Sequence, residues 1–128
     1  MTTPDFEEVA DHVFKAREFL TRGREYLAVG DLHQASEKGW GAASHMAKAV
    51  AAAQGWEYGT HAEFSEVMYQ ASQLANNPRI QQLRGVANEL HLNYYKRKRH
   101  LNAGAIRGDL ETISELLEML HPLTGLTR

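Results

Sequence analysis

The sequence predicts an all-α protein, most simply an antiparallel bundle of four long helices with a shorter fifth. Apolar residues recur every three or four positions through most of the chain, which is typical of amphipathic helices. No segment shows the two-residue alternation of a β-strand. Glycine, proline and helix-capping residues divide the chain into five segments. With 128 residues, the chain is long enough to bury a core, and we expect a single domain over residues 1–128.

The first two predicted helices meet at Gly30. Thr3 and Pro4 are suited to cap and begin the first helix, since proline lacks an N–H that would be unpaired there anyway. Asp31 is predicted to cap the second helix, and Gly55 to end it. Many apolar positions of the second helix are alanine or glycine, which allows other helices to approach closely.

The third and fourth predicted helices also begin at recognisable caps. Thr60 and Glu63 have the spacing of a capping box, and Pro78 opens the fourth helix after a polar break. The apolar face of the fourth helix is predicted to continue as far as Leu101 and to bury Tyr94.

The last predicted helix is short. The stretch "NAGAIRGD", residues 102–109, is predicted to be a loop because of its two glycines. Asp109 is then expected to cap a helix of leucines and isoleucines, whose end is marked by Pro122.

The composition excludes several classes of function. The net charge is −2 and the pI about 6.4, so contact with nucleic acid requires a local basic patch. The absence of cysteine excludes disulfides, thiolate metal sites and cysteine nucleophiles. No apolar run approaches the length of a transmembrane helix, and the acidic start is unlike a signal peptide. We expect a cytoplasmic protein without membrane contact.

The segment "RGVANELHLNYYKRKRH", residues 84–100, carries the candidate chemistry. At about 100° per residue, a narrow stripe beside the core face of the fourth helix holds six polar side chains. Arg84 and His91 are about 10 Å apart along the helix axis, so two long side chains could reach one ligand. The members of the stripe are Arg84, Asn88, His91, Tyr95, Lys98 and Asn102.

These residue types suit RNA cleavage without a metal. Arginine binds phosphate through two hydrogen bonds, and histidine exchanges protons near neutral pH. We therefore assign the catalytic roles to Arg84 and His91, with Asn88 orienting the imidazole or donating to phosphate. Tyr95 offers a face for base stacking, and Lys98 and Arg99 would hold the RNA backbone.

The same residues resemble the HEPN superfamily, whose signature is an arginine followed by four to six residues and a histidine. "YLAVGDLHQASEKGWGAASHMAKAVA", residues 26–51, and "LHLNYY", residues 90–95, are similar to helices of a prokaryotic HEPN-like branch. The resemblance covers roughly residues 17 to 121. It implies a HEPN-like bundle that forms a homodimer, places Arg84 and His91 at the dimer cleft, and needs no cofactor. Active members cleave RNA as toxins, often beside a nucleotidyltransferase-type antitoxin. Gly85 departs from many active members, which have a polar residue after the arginine.

Other interpretations remain open. The protein could be a non-catalytic interaction module or scaffold that pairs with a nucleotidyltransferase-like partner, and the basic segment could be a solvated helix end. Trp40 is predicted to be a packing residue or a dimer anchor. A metal-binding bundle is the third alternative, through Glu118 and His121 in a Glu-x-x-His motif or through three histidines on different helices. Those three are His45, His61 and His91.

Overall fold

The structure, a computed structural model, describes residues 3–127 and contains five α-helices. They are α1 (Phe6–Ala28), α2 (Leu32–Gln54), α3 (His61–Ala75), α4 (Pro78–Asn93) and α5 (Ala103–Leu120), with short 3-10 turns at Lys98–His100 and His121–Thr124. No strand occurs within this range, which confirms the predicted all-α class. Within residues 3–127 no helix combines the length and the apolar character that a bilayer-spanning segment needs.

Contacts between side chains show that α1 and α5 run antiparallel, and that α3 and α4 do so as well. Between α1 and α5, the residue number rises on one helix as it falls on the other, in the pairs Arg17–Glu118 and Arg24–Glu111. The same relation holds between α3 and α4, where Ser65 contacts Arg84 and His61 contacts Asn88. The predicted antiparallel arrangement therefore holds for these two pairs.

Helix α2 lies at the centre of the bundle and contacts each of the other four helices. Its buried positions are mostly alanine, glycine and serine, with Met46 and Val50 as the larger exceptions. Gly39 shows why small residues are needed. A methyl group added there would lie 2.7 Å from a carbon of Leu110 and 2.9 Å from one of Leu90.

The predicted starts of α2 and α3 are confirmed. Thr60 and Glu63 form the predicted capping box, and Asp31 accepts a hydrogen bond at the start of α2. At α1 the prediction was wrong. The cap is Asp5, whose carboxylate accepts from the N–H groups of Glu7 and Glu8 in the first turn, so Thr3 precedes the cap.

Helix α4 ends at Asn93, which corrects the prediction that it continues to Leu101. The Asn93 side chain is buried and its amide donates to the hydroxyl of Ser36 at 3.3 Å. The N–H groups of the next three residues donate to carbonyls three residues back instead of four, so the α-helical hydrogen-bond pattern ends here. His33 donates to the carbonyl of Lys96 at 2.6 Å and holds the turn against α2. Tyr94, predicted to be buried, is 47% exposed.

Helix α5 is longer than predicted because it begins at Ala103, within the segment expected to be a loop. Asn102 caps it, accepting a hydrogen bond from the N–H of Ala105 at 2.8 Å. Asp109, the predicted cap, lies inside the helix. The two glycines of the segment are exposed and helical, so asparagine capping outweighs their low helix propensity.

Candidate functional site

A pocket of about 290 Å³ lies between α3 and α4, and we call it the Arg84 pocket. One wall is open at Gly85, where an added methyl group would have no atom within 4 Å. The lining residues are His61, Phe64 and Ser65 of α3 and Arg84, Gly85 and Asn88 of α4. Two of the three predicted catalytic residues, Arg84 and Asn88, therefore share one pocket.

Arg84 is the cationic group of this pocket. Its Nη1 donates to the Ser65 hydroxyl over 3.5 Å, a long contact. Across residues 3–127, its guanidinium forms no ion pair with a carboxylate. Three other arginines of the bundle each donate to a glutamate at 3.2 Å or less. These pairs are Arg17–Glu118, Arg24–Glu111 and Arg79–Glu115. Arg84 is thus free to bind an anion.

Asn88 orients an imidazole, but this imidazole is His61 rather than His91. Nε2 of His61 donates to Oδ1 of Asn88 at 3.1 Å. Because an amide oxygen only accepts, Nε2 carries the proton and Nδ1 has the lone pair in the neutral ring. That Nδ1 has no hydrogen-bond partner among the described residues. The pocket therefore contains a proton acceptor and a guanidinium, which are the groups that acid–base chemistry on a phosphate ester needs.

His91 lies behind His61, in a group of three rings that we call the Trp40 cluster: Trp40, His61 and His91. The ring centroids are 4.8 Å apart for Trp40 with each histidine and 5.1 Å apart for the two histidines. The His91 side chain is 26% exposed, and it does not line the Arg84 pocket. Trp40 packs within the chain, one of the two roles predicted for it.

Glu37 of α2 faces the inner edge of His91. Its Oε2 lies 4.0 Å from Nδ1 of His91, and both atoms are shielded from solvent without a hydrogen-bond partner in the described part of the chain. The carboxylate attracts an N–H at this nitrogen, which favours one orientation of the His91 ring.

The structure separates the predicted RNA-binding residues. Tyr95 is 74% exposed and its ring meets His91 edge-on, with centroids 5.9 Å apart. Lys98, by contrast, lines another cavity at the turn between α1 and α2, and Arg99 follows it on the exposed 3-10 turn. The prediction that Lys98 shares a helical stripe with Arg84 was wrong, because α4 ends before it.

The three-histidine metal site is not assembled. His45 instead places its Nδ1 3.1 Å from Nδ1 of His12, and its ring stacks on Phe19 with centroids 5.2 Å apart. Burial, aided by the charge of Lys48, lowers the pKa of His45 to about 4, and burial also lowers the pKa of His12. Nowhere in residues 3–127 do three histidine, aspartate or glutamate side chains form a group that could hold a metal ion.

The Glu-x-x-His motif contacts a guanidinium in this structure. Nη1 of Arg17 donates to Glu118 at 3.2 Å, and Nη2 donates to Nδ1 of His121 at 3.1 Å. These contacts tie α1 to the end of α5, which is a structural role for the motif.

Sequence reasoning missed His61 and Ser65 as residues of the pocket, since it considered His61 only as a metal ligand. A signal was present. His61 and Ser65 are four residues apart on α3, as Arg84 and Asn88 are on α4, so each pair occupies one face of its helix. Their meeting across two helices depends on packing, which spacing within one helix does not report.

Comparisons with known proteins agree with the helical fold and identify a family. A crystal structure of a protein from Sulfolobus solfataricus matches with a TM-score of 0.74 and 20% sequence identity, covering 85% of this chain and 95% of that one. This likeness shows the fold alone. No curated protein matches the chain. The family model described as the archaeal PaREP1/PaREP8 family matches residues 11–117, and the chain therefore belongs to that family.

Proposed function

We propose that this protein is an RNA- or nucleotide-binding bundle of HEPN-like type, with the Arg84 pocket as its phosphate site. The observation that carries the proposal is a guanidinium without an ion-pair partner in residues 3–127, beside Asn88 and His61 in one pocket. Guanidinium groups bind phosphate oxygens through parallel hydrogen bonds. The amide and imidazole supply polar contacts of the kind that orient a ligand in a small pocket.

Tyr95 and the basic 3-10 turn extend this site in the proposal. Tyr95 contacts His91, which stacks on His61, so two imidazole rings connect this exposed ring to the pocket. Bases of single-stranded RNA stack on such rings whatever their sequence. Lys98 and Arg99 would attract the RNA backbone from the adjoining end of the bundle, a weaker contribution that depends on salt.

Binding of a fluorescein-labelled single-stranded oligouridine of about ten nucleotides, followed by fluorescence anisotropy, tests the proposal. The variant Arg84→Gln should bind about tenfold more weakly, because it loses charged hydrogen bonds to phosphate. The slope of its log affinity against log salt concentration should also become shallower, by the amount expected for about one lost phosphate contact. Arg22→Gln is the matched control, since Arg22 lies on α1 with Glu18 as its ion-pair partner. Equal loss in both variants, or none in either, would reject the proposed site.

The enzymatic form of the proposal is a metal-independent endoribonuclease of toxin type. Arg84 would stabilise the negative charge that develops on phosphate, and an imidazole would move the proton of a 2′-hydroxyl. Labelled RNA incubated with the protein and EDTA should be cut, and His91→Ala, the histidine of the signature, should abolish the cutting. If the RNA stays intact with and without EDTA, the nuclease form of the proposal is wrong, while the proposed binding function still stands.

The second candidate is a non-catalytic module, and the placement of His91 favours it. His91 is held in the Trp40 cluster against Glu37, where its ring supports the fold. In this case the protein would act as a homodimer or with a nucleotidyltransferase-type partner. Expression with and without a neighbouring nucleotidyltransferase gene separates the two. Toxicity relieved by the neighbour supports the nuclease, and a stable complex without toxicity supports the module.

A further inference from the structure

The two histidines of the Trp40 cluster differ in what they face. His61 lines the Arg84 pocket, is exposed to solvent and is bonded through Nε2 to Asn88. Its Nδ1 has no hydrogen-bond partner within the described residues. A ligand phosphate held by Arg84 in this pocket would therefore meet the imidazole of His61 first.

His91, the histidine of the Arg-x6-His pattern, faces away from the ligand side. Its Nδ1 is shielded from solvent opposite Oε2 of Glu37, and its ring stacks on His61 with centroids 5.1 Å apart. Trp40 contacts both rings. With a carboxylate on one side and the rings of Trp40, Tyr95 and His61 against it, His91 is well placed to fix the position of His61.

We propose that His61 is the imidazole that contacts the ligand, and that His91 is a positioning residue that acts through it. The inference rests on the proposed function and names a different histidine for its central role. Asn88 then has a defined part, because its acceptance of the Nε2 proton keeps the lone pair on Nδ1, where it can take a proton.

In the cleavage reaction, His61 would be the general base. Its Nδ1 takes the proton of the 2′-hydroxyl while the 2′ oxygen forms a bond to the neighbouring phosphorus. The bond between phosphorus and the 5′ oxygen breaks, and that oxygen takes a proton from water. The hydroxide left by the water then removes the proton from Nδ1 of His61. The products are a 2′,3′-cyclic phosphate and a 5′-hydroxyl, and Arg84 stabilises the charge on the phosphate oxygens throughout.

Three substitutions separate the two roles in the oligouridine binding assay. His61→Gln keeps a donor near Asn88 and removes Nδ1, so affinity should fall at least about tenfold. His91→Ala removes the stacking partner and should lower affinity about fivefold. His91→Phe restores a ring without nitrogens and should recover most of that loss, because positioning needs the stack and not the imidazole. Urea unfolding of each variant shows that the fold is kept.

Each outcome decides the question. Loss in His61→Gln with recovery in His91→Phe supports the inference. If His61→Gln binds like wild type, or if His91→Phe is as weak as His91→Ala, the division of roles is wrong while the Arg84 site stands. If Arg84→Gln also binds like wild type, the proposed function fails first and the inference fails with it.

A measurement on the unmodified protein gives the same answer without relying on variants that must fold. The ring-proton resonances of the two histidines are followed by NMR during titration with oligouridine. We expect the His61 resonances to move with saturable binding and by more than those of His91. Larger changes at His91 than at His61 would overturn the inference.

Discussion

Removing the titrating ring of His45 should make the stability of the protein less sensitive to acid. Burial and the charge of Lys48 lower the pKa of His45 in the folded protein to about 4, from an ordinary 6.5. The unfolded chain therefore binds a proton at this residue at higher pH than the folded chain does. The contribution of His45 to the free energy of unfolding is therefore complete above about pH 6.5. It falls as the pH drops from there toward 4, and it is constant at lower pH.

The size of the effect follows from that pKa. The difference between 6.5 and about 4 corresponds to at most about 3 kcal/mol. The ring is only partly buried, and solvent screens the charges of the nearby lysines, so we expect about 1 to 2 kcal/mol. His12 adds to the slope, since its pKa is lowered as well and it shares the contact between the two Nδ1 atoms.

Urea unfolding of the wild type and of His45→Asn, at about pH 7.5 and about pH 4.5, measures the effect. Asparagine has a helix propensity close to that of histidine and can replace Nδ1 as a hydrogen-bonding group toward His12. The wild type should lose about 1 to 2 kcal/mol more than the variant between the two pH values. Equal losses in the two proteins would show that His45 is protonated alike in the folded and unfolded states, which would refute the reasoning.

Four further substitutions test the packing and the site. Gly85→Ala puts a methyl group into the Arg84 pocket, so RNA affinity measured by anisotropy should fall severalfold. The free energy of unfolding of this variant should rise by up to about 1 kcal/mol, because alanine favours a helix. A less stable variant would contradict the open wall. Gly39→Ala should instead lower the free energy of urea unfolding by about 1 kcal/mol, since the clash with Leu110 exceeds the helix propensity of alanine, and a more stable variant would contradict the close approach. Asn102→Ala should lower the free energy of unfolding by about 1 kcal/mol, whereas Asp109→Asn should leave it unchanged. The reverse result would restore the predicted start of the last helix.

The sequence predicted the parts of the fold that depend on local chemistry. The capping box at Thr60 and the start of α4 at Pro78 need only neighbours in the chain, and both are present. The end of α4 depends on a long-range contact, because Asn93 is held by Ser36 of α2. Periodicity continued past it into Tyr94 and Leu101, and nothing local marked the break. The start of α5 was missed for a different reason: a cap at Asn102 was passed over in favour of the glycines that follow it.

The site, like the fold, was predicted correctly where it depends on neighbours along one helix and incorrectly where it depends on contacts between helices. Arg84 and Asn88 were placed together because they lie one turn apart on one helix, and the structure brings both to the same pocket. The partner histidine was chosen from the same helix by its spacing, whereas the ring bonded to Asn88 comes from α3. A sequence pattern reports neighbours along a helix well, and reports neighbours across a groove only when the packing of the two helices is already known.

The small residues of α2 have a consequence for how members of this fold can diverge. Helix α2 contacts every other helix, and its buried positions are largely alanine and glycine. At these positions the packing limits the volume of a side chain more than its hydrophobicity. At Gly39 even one carbon exceeds that limit, whereas the outer faces of the surrounding helices have no such restriction. We expect distant relatives to differ freely on those faces and to keep small residues along α2, which makes this helix the most dependable segment for aligning their sequences.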